Sequence, residues 1–160
     1  MAHPNAELIQ RFYTAFAALD DAGMAACYAA DVSFQDEVFT LRGREEVAGM
    51  WRMLCTATRS KGRDDWSLTF GDVEVGDRQG HARWEAHYRF SATGRLVQNI
   101  IRAEFEFRDG LIVAQRDRFD FWRWSRQALG PPGWLLGWSP FLRRRVQAQA
   151  AANLRGFLAE

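Results

Sequence analysis

Arg83-Trp84-Glu85-Ala86-His87-Tyr88-Arg89-Phe90 alternates strictly between apolar and charged or polar side chains. A period of two marks a half-buried β-strand, because successive side chains point to opposite faces. Trp84, Ala86, Tyr88 and Phe90 share one face; Arg83, Glu85, His87 and Arg89 share the other. The same period continues on both sides of this stretch. Upstream, Trp66, Leu68 and Phe70 alternate until Gly71 shifts the phase to Val73 and Val75, which predicts a bulge. Gly76-Asp77-Arg78-Gln79-Gly80 joins the two strands as a hairpin loop. Downstream of a turn at Thr93-Gly94, Asn99, Ile101, Ala103, Phe105 and Phe107 fall on one face. Asp109-Gly110 is a strong hairpin signal. A last strand, from about Leu111 to Trp122, then turns Val113, Gln115, Asp117, Phe119 and Phe121 inward. The expected result is a meander of antiparallel strands.

Ahead of the meander the apolar period is helical. Leu8, Ile9, Phe12, Tyr13, Phe16 and Leu19 line one side of a helix for which Asn5 is the expected N-cap. Asp20 or Asp21 caps a short second helix that buries Met24, Cys27 and Tyr28, and Val32, Phe34 and Asp36 alternate into a short strand. A third helix follows Gly43, with Glu45 and Glu46 at its positive end and Val47, Met50, Trp51 and Leu54 as its apolar stripe. Helices followed by strands define an α+β class. Residues 1–124 are expected to form this domain. Residues 125–160 read as a helical extension packed on it or on a dimer partner, with a break at Gly130-Pro131-Pro132-Gly133 and a helix opening at Ser139-Pro140.

Composition narrows the function classes. The chain has 160 residues, 48% hydrophobic and 14% aromatic, which excludes disorder and suits one domain. With 21 basic and 20 acidic side chains, overall charge gives no reason to expect nucleic acid. Cys27 and Cys55 form no CxxC and read as buried, reduced thiols; three scattered histidines offer no metal-site spacing. No metal and no cofactor are expected. No apolar run reaches the roughly 20 residues of a membrane span, and the N-terminus lacks signal-peptide character. The expected compartment is cytoplasmic.

Tyr28-Ala29-Ala30-Asp31-Val32-Ser33-Phe34-Gln35-Asp36, Gly43-Arg44-Glu45-Glu46, and Phe105-Glu106-Phe107-Arg108-Asp109-Gly110-Leu111-Ile112 carry a resemblance. Over roughly residues 5–122 the chain resembles the nuclear transport factor 2-like superfamily, which includes ketosteroid isomerases, SnoaL-like polyketide cyclases and limonene epoxide hydrolases. The resemblance implies a cone, in which a strongly bent sheet wraps the helices around a deep pocket. Fold alone does not fix the chemistry.

The resemblance places Asp36 where the isomerases hold their general base. The alternative is an Asp that ends a strand by hydrogen-bonding its own turn. The isomerases' protonated acid falls at Ala103, and their tyrosine donor falls at Phe12, one residue from Tyr13. Both departures count against steroid isomerisation. Asp117 instead turns inward among aromatic residues, with Gln115 before it and Asn99 on the preceding strand. A buried carboxylate must pair or work, so Asp117 is either an acid/base partner of Asp36 or the partner of a neighbouring arginine. Trp51, Trp84, Tyr88, Asn99, Ile101, Ala103, Gln115 and Phe119 are the expected substrate-binding wall. His87 points away from it, and Arg116, Arg118, Arg123 and Arg126 read as a solvated or dimer-facing side. The expected function is an acid/base enzyme of isomerase, cyclase or hydrolase kind acting on a hydrophobic small molecule, as a homodimer. A non-catalytic ligand-binding module and a dimerisation module are the alternatives.

Trp134-Leu135-Leu136-Gly137-Trp138 and Phe141-Leu142 are too apolar to be left in solvent. A lid over the pocket, a dimer contact and a membrane surface beside Arg143-Arg144-Arg145 are the three readings. The single basic run makes the membrane the weakest of them. Phe141, Leu142, Val146, Leu154, Phe157 and Leu158 should form a docked stripe.

Overall fold

The computed structural model describes residues 2–160. Helix α1 (Pro4–Ala17) starts from His3, whose ring nitrogen accepts from the Asn5 backbone N–H at 3.0 Å, with Pro4 in the first turn where no donor is needed. Asn5 therefore lies inside the helix, where a cap was expected. Its side-chain amide donates to the Gly76 and Asp77 carbonyls and ties α1 to the far hairpin loop. Asp20 caps α2 (Asp21–Ala25) by accepting from the Gly23 N–H at 3.0 Å. Strands β1 (Tyr28–Gln35) and β2 (Thr40–Arg42) precede α3 (Arg44–Ser60) and a single 3-10 turn (Arg63–Asp65). The meander follows as β3 (Ser67–Val75), β4 (Gln79–Arg89), β5 (Leu96–Arg108) and β6 (Leu111–Arg118).

The six strands run in the order β2-β1-β6-β5-β4-β3. The expectation of a wholly antiparallel sheet is corrected at one place: β1 pairs parallel to β6. Alternation fixes which side chains share a face and says nothing of which strand lies alongside. Without β1, the long β6 would present an open edge of unpaired backbone groups. The bulge expected at Gly71 is present, with the register shifting between Gly71 and Glu74 and Asp72 in the left-handed region at φ 51°. A second irregularity, between Glu106 and Phe107 on β5, pairs Phe107 with Ile112 and Glu106 with Ala114. Ile112 therefore takes the buried place expected of Val113, and the phase is restored at Gln115 and Asp117.

The curved sheet closes around α1 and α3 as a cone. Leu8, Ile9, Phe12, Tyr13 and Phe16 of α1, with Val47, Met50, Trp51 and Cys55 of α3, meet Trp84, Ala86, Ile101, Ala103, Phe105 and Phe107 of the sheet. Both cysteines are buried and free. The outer face carries exposed Arg83, Arg102, Glu104, Glu106 and Arg116.

The last strand is shorter than expected. It ends at Arg118, and Asp120 then accepts from the Arg123 N–H at 3.0 Å to cap α4 (Phe121–Leu129). The strand-like alternation of Phe119 and Phe121 thus straddles a helix start, and Phe121 and Trp124 are buried together at helical spacing. Helices α5 (Pro131–Leu136) and α6 (Pro140–Leu158) complete the chain, so the extension holds three helices where one was expected. No described helix is long and apolar enough to cross a membrane.

Candidate functional site

Asp117 points into the cone from β6 and is 2% exposed. Its register partner on β5 is Ala103, which in turn pairs with Ala82 on β4, so two of the smallest side chains flank the carboxyl across the sheet. One Asp117 oxygen accepts from Gln115 Nε2 at 3.2 Å; the other, Oδ2, is buried with no hydrogen-bond partner. The alternative of an arginine pair is overturned. Arg118 turns outward to Glu104 at 3.5 Å, and among the described residues no salt bridge involves Asp117. Burial without a countercharge raises the Asp117 carboxyl well above the usual range, and the nearby Asp36 charge adds to the effect. That environment favours the protonated form of the group.

A relay orients it. Trp51 Nε1 donates to the Tyr28 hydroxyl at 2.9 Å, Tyr28 donates to Gln115 Oε1 at 2.6 Å, and the other end of the Gln115 amide reaches Asp117. Trp51 and Gln115 were expected to line a substrate pocket. They serve here as supports, with Tyr28 between them, a role invisible in a sequence where Tyr28 reads as core.

Asp36 lies just beyond the end of β1. β1 pairs with β6 as far as Gln35 beside Arg116, so Asp36 follows the last paired residue of β1 as Asp117 follows Arg116 on β6, and the Asp36 charge acts on Asp117. Asp36 Oδ1 accepts from the Val38 and Phe39 backbone N–H groups at 2.7 and 2.6 Å. The turn reading of Asp36 is thus present in the structure. Even so, burial pushes its carboxyl up to about 6, against the two amides that lower it. Oδ1 thus holds the turn.

Tyr13 and Trp84 complete the cluster. The Tyr13 hydroxyl and Trp84 Nε1 are both buried with no partner, and their rings lie 6.1 Å apart. Burial raises the Tyr13 phenol well above its ordinary value, with the Asp117 charge as the next cause, so the hydroxyl is a donor close enough to feel that carboxyl. Three unpartnered polar atoms in one aromatic interior are costly. A bound polar group would satisfy them.

The remaining expected residues are placed as follows. Ile101, Ala103 and Asn99 are buried on the inner face. Tyr88 is half-buried and accepts from Trp124 Nε1 at 2.8 Å; burial pushes its phenol up to about 12, and Asp36 contributes. Phe119 is half-buried, 6.4 Å from the Trp124 ring. The inward rings close on one another, Tyr13 stacking on Phe70 at 5.2 Å and Trp84 meeting Phe16 at 5.2 Å. A groove of about 1160 Å³ lies on the outer face of the sheet, between Ser33, Arg42, Arg83, Arg102 and Arg116, and its lining includes none of Asp36, Asp117 and Tyr13.

The extension covers the Asp36 end of the cone. Arg143 reaches Glu37 at 3.0 Å, Gln147 donates to the Glu37 carbonyl, and Val38 packs in the cluster of Phe121 and Trp124. Leu142 and Leu154 are buried and Phe157 stacks under Arg52, as a docked stripe requires. Phe141 is 59% exposed, and Trp134 and Trp138 are 57% and 70% exposed, so for these three the docking expectation fails.

A family model described as a SnoaL-like domain matches residues 9–115. No curated protein matches the chain. Among solved structures, a candidate polyketide cyclase from Xanthomonas campestris pv. campestris is 21% identical with a TM-score of 0.62, covering 78% of this chain and 96% of its own. An LEH-like epoxide hydrolase from M. tuberculosis is 18% identical with a TM-score of 0.62, covering 77% of this chain and 87% of its own. An NTF2-like protein of unknown function from Burkholderia pseudomallei K96243 is 18% identical with a TM-score of 0.65, covering 79% and 98%. At such identities the shared property is the fold.

Proposed function

We propose that this chain, which belongs to the SnoaL-like domain family within the nuclear transport factor 2-like superfamily, is an acid/base enzyme that acts on a small hydrophobic molecule through its own side chains. The observation that carries the reading is the two carboxyls at the β1–β6 seam, Asp36 pushed up to about 6 and Asp117 raised well above the usual carboxylate range, each chiefly by burial. Environments that push two acids apart assign a base and an acid. Asp36 takes a proton beside a carbonyl, or from a water. The protonated Asp117 and the Tyr13 hydroxyl donate to the oxygen on which negative charge develops. Asp117 occupies the strand position in register with Ala103, so the acid missing at 103 is supplied from the next strand.

The test is proton exchange. Hydrophobic ketones in D2O, followed by NMR, should gain deuterium at the α-carbon with the native protein and lose about 10²–10⁴ of that rate with Asp36→Asn. Retention of more than about a tenth of the rate would remove Asp36 from the base role.

A second reading is a non-catalytic ligand-binding or dimerisation module, and the mutual packing of the inward rings favours the dimerisation form of it. Native mass spectrometry separates the two. A co-purifying lipophilic ligand whose occupancy is the same in Asp36→Asn, with no exchange activity, supports the module. The charged outer sheet face is a candidate homodimer surface, tested by sedimentation velocity.

A further inference from the structure

We propose that the α4–α6 extension docks this protein on the surface of a bilayer containing anionic phospholipid. Residues 1–120 carry 15 basic and 19 acidic side chains, whereas residues 121–160 carry six arginines and a single acid, Glu160. The near-neutral total conceals a cationic end on an anionic body. That end also holds exposed apolar side chains in one stretch, with Leu135 71%, Trp138 70%, Phe141 59% and Trp134 57% exposed.

The patch is built. Gly133 lies against the Ser125 carbonyl and Gly137 against Ser125 Oγ, so any β-carbon there would collide with α4. These two glycines let α5 lie flat on α4 and turn Trp134, Leu135 and Trp138 outward. Trp138 Nε1 donates to the Leu135 carbonyl at 2.9 Å, and Ser139 caps α6 at the Leu142 N–H, fixing the step between the helices.

Beside it, Arg95, Leu96, Arg123, Arg126, Gln127 and Trp134 line a cleft of about 610 Å³. The Arg126 guanidinium sits 4.4 Å from the Trp122 ring and 4.8 Å from the Trp134 ring, and its Nε is buried without a partner. Among the described residues, none of Arg95, Arg123, Arg126, Arg144 and Arg145 forms an ion pair. Besides the 143–145 run, the fold brings together Arg95, just before β5, and Arg123 and Arg126 of α4. Unpaired guanidinium groups beside outward tryptophans and a leucine match a phosphate headgroup layer above acyl chains. Nucleic acid would leave Leu135 and Phe141 without a role. A two-fold contact with a second copy would set this cationic end against itself.

Flotation of the full chain with phosphatidylcholine vesicles containing roughly one-third phosphatidylglycerol tests the proposal. The protein should float with these vesicles, with a blue shift of its tryptophan emission, and should stay behind with pure phosphatidylcholine. Binding should fall as salt rises from about 0.1 to about 0.5 M. Leu135→Ser/Trp138→Ser, at side chains about 70% exposed, and separately Arg144→Gln/Arg145→Gln, should each weaken binding at least about tenfold with the melting temperature unchanged. Absence of flotation, or undiminished flotation of both variants, overturns the proposal. A dimer that becomes a monomer in the first variant also overturns it, because the patch is then a contact between copies. Should the first variant fail to fold, the arginine variant decides alone.

Discussion

Asp36→Asn should stabilise the protein at pH 8 and leave it nearly unchanged at pH 4. In the folded chain the Asp36 carboxyl titrates at about 6, against 3.8 for the ordinary group. Below the lower value both folded and unfolded chains hold the proton, and the group contributes nothing. Between the two values only the folded chain holds it, so each rise in pH draws the unfolded state down relative to the folded one. Above about 6 the folded chain carries a desolvated charge, and the accumulated loss is at most about 3 kcal/mol. Asparagine keeps the oxygen that accepts from Val38 and Phe39 and never ionises, so it escapes that loss. For a chain of this length, 3 kcal/mol corresponds to roughly 6–12 °C in Tm.

Guanidinium unfolding of native protein and variant at pH 4 and pH 8 gives the difference of differences, in which the titrating groups that do not feel the Asp36 charge cancel. An increase of about 2–3 kcal/mol in the variant's advantage between the two pH values is the expected outcome. A variant less stable than the native protein at pH 8, or an advantage independent of pH, would refute the reasoning. Asp36 would then be a turn carboxylate whose ionised form the two amides stabilise, and the base would have to be sought elsewhere.

Tyr28→Phe should cost about 2–4 kcal/mol, because it leaves Trp51 Nε1 and Gln115 Oε1 buried without partners; urea unfolding at pH 7 measures it. Asp117→Asn, replacing a neutral acid by a neutral amide, should change stability by less than about 1.5 kcal/mol, whereas loss of a buried ion pair would cost about 3–5. Leu154→Ala, on the buried side of α6, should cost about 2–5 kcal/mol by opening a cavity in the core. Gly133→Ala should lower Tm and separate α5 from α4, since the new methyl group meets the Ser125 carbonyl; hydrogen exchange in Ser125–Leu129 reads the separation.

How much of this is legible in the sequence depends on what each residue answers to. Trp84, Ala86, Ile101, Ala103 and Phe105 declare their face by a period of two, because burial is decided locally by the pleat. The parallel pairing of β1 with β6 is a relation between residues about 80 apart, and no local period encodes it. The end of β6 was misread because Phe119 and Phe121 satisfy the strand period while Asp120 between them is a helix cap. The site shows the same division. Asp117 stands out as a polar group at an apolar position, and the family resemblance picks out Asp36 and Tyr13. Tyr28 does not stand out: its spacing reads as the buried face of the second helix, whereas it opens β1 with Gln115 and Trp51 at its hydroxyl.

The register between β5 and β6 gives the site its particular order of charge. Had the acid stood at 103, Asp36 would face it across the intervening strand; placed at 117, it lies on the strand adjacent to Asp36. Burial raises both carboxyls, and the Asp36 charge raises Asp117 further. The one that gives up its proton first is the one with amide donors, and that is Asp36, with Val38 and Phe39 at 2.7 and 2.6 Å. Asp117 has only the Gln115 amide at 3.2 Å, and its second oxygen has nothing. The surroundings therefore favour ionisation of Asp36 ahead of Asp117. The Asx turn and the base assignment, set out as rivals on the sequence, are then parts of one arrangement. The turn amides favour the ionised form of Asp36, and burial favours the protonated form of Asp117.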